Sequence, residues 1–225
     1  VHIKRIGNKI LFRFIDNRHA LLEWLSKCNN KRNFNWSLEL PTNKWDRCLF
    51  EGTTLTGIGL GNDSWTDGTL RDDDDGLPDL SKCLSLKILD VRFNNLTKLP
   101  DYLSTFTKLK RLNCGGNQLT TLPDLSNFRN LETLDCTNNR LMSMPDLSKC
   151  VSLKYLFCSN NFLQTLPDLS KCVLLSQLFC AHNELTHLPD LHKCIELFEL
   201  YHAFNQFTEE PNIPKWVDHH TQEHK

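Results

Sequence analysis

From Leu86 onward the apolar positions return in a fixed order: L-x-x-L-x-C-x-x-N-x-L-x-x-L-P-D-L, then a Cys or Phe, then the next copy. The opening leucines are Leu86, Leu109, Leu131, Leu153, Leu175 and Leu197, at spacings of 23, 22, 22, 22 and 22 residues. The one-residue excess is Tyr102, where PDYLSTF stands in place of the later PDLSNF and PDLSKC. Within each copy the residues around L-x-C alternate with a period of two, which predicts a short strand with Leu and Cys inward and the intervening residues outward. Pro100, Pro123, Pro145, Pro167 and Pro189 remove a backbone donor from the return path and stiffen it, so extended or 3₁₀ turns are expected there, with few full helices. Asn94, Asn117, Asn139, Asn161, Asn183 and Asn205 fall where the chain turns off the strand. A side-chain amide at that point can satisfy backbone groups of neighbouring turns that would otherwise be buried unpaired.

Six copies of this grammar, L-x-x-L-x-L-x-x-N-x-L at a period in the low twenties, resemble the leucine-rich repeat family over residues 49–211. The resemblance implies an α/β fold: a right-handed solenoid shaped as a horseshoe arc, with a parallel sheet on the concave face and a helical cap at the N-terminus. Such a solenoid has no central core, and each turn buries its apolar side against its neighbours. The division that follows is a helical cap over 1–48, a degenerate first repeat with an acidic insertion over 49–85, six repeats over 86–211, and a C-terminal cap and tail over 212–225. Residues 1–17 give no clean period. From Asn17 to Cys28 the apolar residues Ala20, Leu21, Leu22, Trp24 and Leu25 fit an amphipathic helix, and a polar stretch with Trp36 and Trp45 follows. Leu55, Ile58 and Leu60 begin the degenerate repeat in L-x-x-I-x-L spacing. This order is similar to the N-terminal cap of many plant, protist and bacterial members, with Cys48 where half of a cysteine pair would stand; whether Cys28 pairs with it is left open. The last repeat decays, with His202 and Phe207 at Cys and Leu positions, and Ile213 and Trp216 are expected to close the end.

Composition narrows the function classes. A net charge of −1 gives no reason to expect a nucleic acid or an anionic membrane as partner. No run of 18 apolar residues exists, so no transmembrane helix is expected. Arg13 breaks the apolar run near the start and no small-residue cleavage site follows, so a signal peptide is not expected, while the missing initiator Met suggests a trimmed or partial chain. Ten cysteines would ordinarily suggest disulfides. Their phase argues otherwise: Cys114, Cys136, Cys158 and Cys180 share a strand position with Val91, and Cys83, Cys150, Cys172 and Cys194 share one with Phe106 and Phe128. A position that accepts Cys, Val or Phe is an apolar packing site, and ten free thiols fit a reducing, cytoplasmic compartment.

Candidate chemistry is sparse. Asp72 to Asp75 are consecutive, whereas calcium loops space their carboxylates, so they read as a solvated acidic loop. His219, His220 and His224 read as a polar terminus, and no metal or cofactor is expected. With no phosphate-cradling glycine loop, GxSxG, HExxH or CxxC, the chain is not expected to be an enzyme. Specificity then rests on the outward strand positions. Asp90, Arg92, Arg111 and Asp135 make the N-terminal part of the concave face polar and are expected within reach of one another. Tyr155, Phe157, Phe162, Phe179, Tyr201 and Phe204 make the C-terminal part aromatic, a patch that a soluble protein rarely leaves unused. The expectation is a monomeric, non-catalytic module that binds a protein partner on this face. The resemblance extends to bacterial effectors injected into host cells; other readings are the recognition part of a larger ubiquitin ligase or kinase, and an extracellular adhesin or receptor fragment.

Overall fold

The computed structural model describes residues 2–6, 9–13, 49–51, 54–59, 77, 80–81 and 83–220. The expected Asn17–Cys28 helix, Trp36, Trp45, Cys28, Cys48 and the Asp72–Asp75 run lie outside the described residues. At the start, β1 (His2–Ile6) and β2 (Lys9–Arg13) pair as an antiparallel hairpin, an element the sequence periodicity does not reveal.

The strands β3 (Leu49–Glu51), β4 (Thr54–Gly59), β5 (Ile88–Asp90), β6 (Arg111–Asn113), β7 (Thr133–Asp135), β8 (Tyr155–Phe157), β9 (Gln177–Phe179), β10 (Glu199–Tyr201) and β11 (Asp218–His220) form one nine-stranded sheet in chain order. Only the β3–β4 pair is antiparallel; from β4 to β11 every neighbour is parallel, as the repeat period requires. Ile58 sits opposite Leu89, so the degenerate first turn is in register with the regular ones. The array is a solenoid, and its ladder outlasts the three-residue strands: Cys114, Cys136, Cys158 and Cys180 each donate their N–H to a carbonyl of the next turn, at 2.7–2.8 Å.

Each strand buries its middle residue and turns its flanks outward. Leu89, Leu112, Leu134, Leu156, Leu178 and Leu200 are fully buried, and beside them run Val91 and the strand cysteines. Burying one such leucine stabilises the fold by about 1.5–3 kcal/mol, so the continuous column contributes in proportion to its length. Cys83, Cys150, Cys172 and Cys194 form a second buried column with Phe106 and Phe128. All eight described cysteines are free thiols.

The return path contains no α-helix among the described residues. In most repeats it is an extended Pro-Asp-Leu segment and two successive turns, such as Cys150 N–H to the Leu147 carbonyl and Leu153 N–H to the Cys150 carbonyl. The inserted Tyr102 converts the first of these turns into a 3₁₀ helix, Asp101–Thr105, with Leu103 buried beneath it. The regular repeats instead use an aspartate: Asp124, Asp146 and Asp168 each accept the backbone N–H and hydroxyl of the serine two residues on. Those bonds hold the three carboxyls below the usual carboxylate range, led by the serine N–H.

The asparagine column ties the turns together. Asn139 Nδ2 donates to the carbonyls of Cys114 and Cys136 at 3.0 and 3.1 Å, while its Oδ1 accepts the Leu119 N–H at 3.0 Å. Asn117, Asn161, Asn183 and Asn205 repeat the arrangement one turn apart. The bridging expected from the sequence is therefore present turn after turn.

Candidate protein-binding surface

The outward strand residues form two columns on the open face of the sheet. Parallel register aligns Asp90, Asn113, Asp135, Phe157, Phe179 and Tyr201 in one, and Ile88, Arg111, Thr133, Tyr155, Gln177 and Glu199 in the other. Neighbouring strands lie about 4.8 Å apart, so large side chains in one column must touch.

They do. Phe157 and Phe179 have centroids 4.8 Å apart at an angle of 41°, and Phe179 and Tyr201 stand 4.5 Å apart at 66°. Tyr155 joins the row through Phe157 at 6.3 Å. Rings spaced more closely than their own width cannot lie flat, so they stand on the sheet as one ridge. At its C-terminal end, removal from water and then the nearby Glu199 carboxylate push the Tyr201 hydroxyl above its ordinary pKa. Glu199 also accepts a short hydrogen bond from Gln177 Nε2.

The other two expected aromatics are placed differently. Phe204 stacks on His182, with centroids 4.3 Å apart and planes 14° from parallel, as a separate pair beyond the strand ends. Phe162 is 49 % exposed, follows the buried Asn161, and makes no ring contact with the other five. Its phase explains this: it sits past the strand, beside Asn161, where the column geometry no longer applies.

At the polar end, the four charged residues do not form one network. Arg92 pairs with Asp90 at 3.1 Å, and the Arg92 backbone N–H donates to the same carboxylate. Asp135 is held by its own turn instead: its Oδ1 accepts the Thr137 N–H at 3.1 Å and the Thr137 hydroxyl at 2.7 Å. Arg111 is exposed and forms no ion pair among the described residues.

Several features escaped the sequence reading. Phe93, Asn138, Asn160, His182 and Phe204 all have φ between 52° and 56°, and Gly116 has 66°, so one position per turn is left-handed. Asn, His and Gly tolerate this region; Phe does not, which marks Phe93 and Phe204 as bulky rings held in a strained backbone. A Cβ on Gly116 would lie 2.3 Å from the Phe93 ring, so this glycine is the seat on which that ring rests. Val151, Val173 and Ile195, at the position after the second-column cysteine, form an exposed apolar strip where the chain enters the strands. The signal for it was present: the same phase of three successive repeats carries a β-branched residue.

No group of three or more His, Cys, Asp or Glu among the described residues is arranged to hold a metal ion. No helix among them is long and apolar enough to cross a membrane.

Comparison with known proteins agrees with this geometry. Residues 84–127, 107–149 and 129–171 each match the family model described as Leucine Rich repeats (2 copies). Among solved structures, YopM, a leucine-rich effector protein from Yersinia pestis, is 36 % identical over 57 % of this chain and 34 % of its own, with a TM-score of 0.52. YopM from Yersinia enterocolitica is 32 % identical over 73 % of this chain and 32 % of its own, with a TM-score of 0.58. The chain thus spans about a third of the length of these relatives. A search of the curated proteins gives no match.

Proposed function

We propose that this leucine-rich repeat protein is a non-catalytic recognition module of effector type, holding a protein partner on the open, concave face of its sheet. The observation that carries the reading is the standing row of Tyr155, Phe157, Phe179 and Tyr201 on that face. Leucine-rich repeat domains generally bind protein partners, and large rings in a rigid frame are the residues on which binding energy concentrates. The effector role rests on likeness to YopM, which is described as a leucine-rich effector protein, and the reading includes action in a host cell's cytosol. The reading includes a monomer, with neither nucleic acid nor membrane as partner.

The test is capture of a partner from host-cell lysate by the wild-type chain and by two double variants. Phe157→Ser with Phe179→Ser removes the middle of the row and should abolish capture while the thermal midpoint stays within a few degrees. Lys149→Ala with Lys171→Ala, both exposed on the return path, should capture as wild type does. Undiminished capture by the folded concave variant would rule the surface out.

A further inference from the structure

The proposed face has an asymmetric charge. Arg92 is neutralised by Asp90, and Arg111 lies at the polar end. From β7 through β10 the two outward columns carry Asp135 and Glu199 and no cation, and β11 adds Asp218 opposite Glu199. The ring row therefore begins after the Asp135 carboxylate and ends beside those of Glu199 and Asp218, where His220 follows Tyr201 in register, and no Lys or Arg of the two columns lies between.

The end at β7 is built to receive a planar cation. Phe157 is the first ring of its column, because Asp135 precedes it in register. On that side its neighbour in register is Asp135, one strand spacing away, and its ring contacts lie with Tyr155 and Phe179. Thr137 fixes the Asp135 carboxylate through Oδ1, which leaves Oδ2 as an oriented acceptor. A guanidinium laid on the face of Phe157 would sit within cation–π range and donate to that oxygen at once. Arginine suits the seat better than lysine, since its flat fork can stack and hydrogen-bond together. The acceptor is already oriented, so little ordering is needed on binding.

We propose that the concave face selects a peptide segment carrying an arginine beside apolar or aromatic residues, the guanidinium seated between Phe157 and Asp135 and the neighbouring side chains along the ring row. The inference rests on the reading of this face as the partner surface, and its test separates the two. A short random-peptide library displayed on phage is panned on the full chain and counter-selected on the Phe157→Ser, Phe179→Ser variant. Peptides that need the two rings should be enriched several-fold in arginine over the unselected library. A synthetic peptide from that pool should bind roughly tenfold more weakly when its arginine is replaced by citrulline. It should lose the same factor on Asp135→Asn, which keeps an oxygen for Thr137 and so keeps the turn. Ring-dependent peptides without cationic enrichment, or equal binding to Asp135→Asn, would overturn the arginine seat and leave the concave reading in place. If no selected peptide depends on the rings, both fall.

Discussion

At the scale of single residues, the fold depends on small groups that each serve two turns. Asn139 satisfies two carbonyls and one N–H from adjacent repeats, all buried. Asn139→Ala strands those groups without water, and should lower stability by roughly 2–4 kcal/mol, read from a urea melt. The strand cysteines look alike in sequence but differ in surroundings. Cys136 Sγ lies 3.5 Å from the Phe157 carbonyl, whereas Cys158 Sγ makes no hydrogen bond among the described residues. A hydroxyl at 136 therefore has an acceptor and one at 158 does not. Cys158→Ser should cost about 1–3 kcal/mol and Cys136→Ser clearly less. Equal losses in paired melts would show that the Phe157 carbonyl, already engaged by the Cys136 N–H, accepts no second bond. The second-column thiols also face acceptors: those of Cys150, Cys172 and Cys194 lie 3.5–3.7 Å from leucine carbonyls one turn back. Their position is thus not purely apolar, a distinction that residue identity alone does not carry.

At the scale of elements, the strands were legible because they repeat. The period fixed six strand centres, their parity and the asparagine turns, and the register of β5 to β10 follows it residue for residue. The ring row was legible for the same reason, since Phe157, Phe179 and Tyr201 share a phase. Phe162 was not, because beyond the strand the alternation that assigns faces is lost. The left-handed position was hidden because it is a backbone property, and a column reading Phe, Gly, Asn, Asn, His, Phe gives no single side-chain signature. The β1–β2 hairpin had no repeat to reveal it. The 3₁₀ helix shows the converse, one inserted residue changing a turn without disturbing the strand beyond it. Deleting Tyr102 restores the PDLS order, in which Asp101 can accept the Ser104 N–H as its counterparts do. The loss is the contact of Tyr102 with Phe106, at 6.0 Å. The deletion should move the thermal midpoint by no more than about 4 °C, equivalent to roughly 1 kcal/mol in a chain of this size. Loss of the cooperative transition would mean that the helix is required to seat β6.

At the scale of the whole molecule, the thiol columns run through the array and give it a common response to pH. Burial, before any effect of neighbours, pushes the Cys150, Cys172 and Cys180 thiols up to about 12 and that of Cys194 to about 11. Burial likewise holds Cys114, Cys136 and Cys158 well above the ordinary thiol range, with adjacent cysteines and Asp135 adding to it. Thiols of the unfolded chain ionise near pH 8.5. Raised folded values mean that the stabilisation is fully present below that pH. It is lost as pH rises toward 11–12, where the unfolded state releases protons that the folded state retains. Each buried thiol then removes about 1.4 kcal/mol per pH unit, and several act together because the columns are continuous. The thermal midpoint, followed by circular dichroism, should be level through neutral pH and fall steeply above about pH 9. Tyrosines and lysines also titrate there, so the assignment needs a variant. Cys150→Ala with Cys172→Ala should start less stable, from the two cavities, yet decline with a shallower slope. A slope unchanged by the two substitutions would mean that the alkaline loss does not come from the thiols.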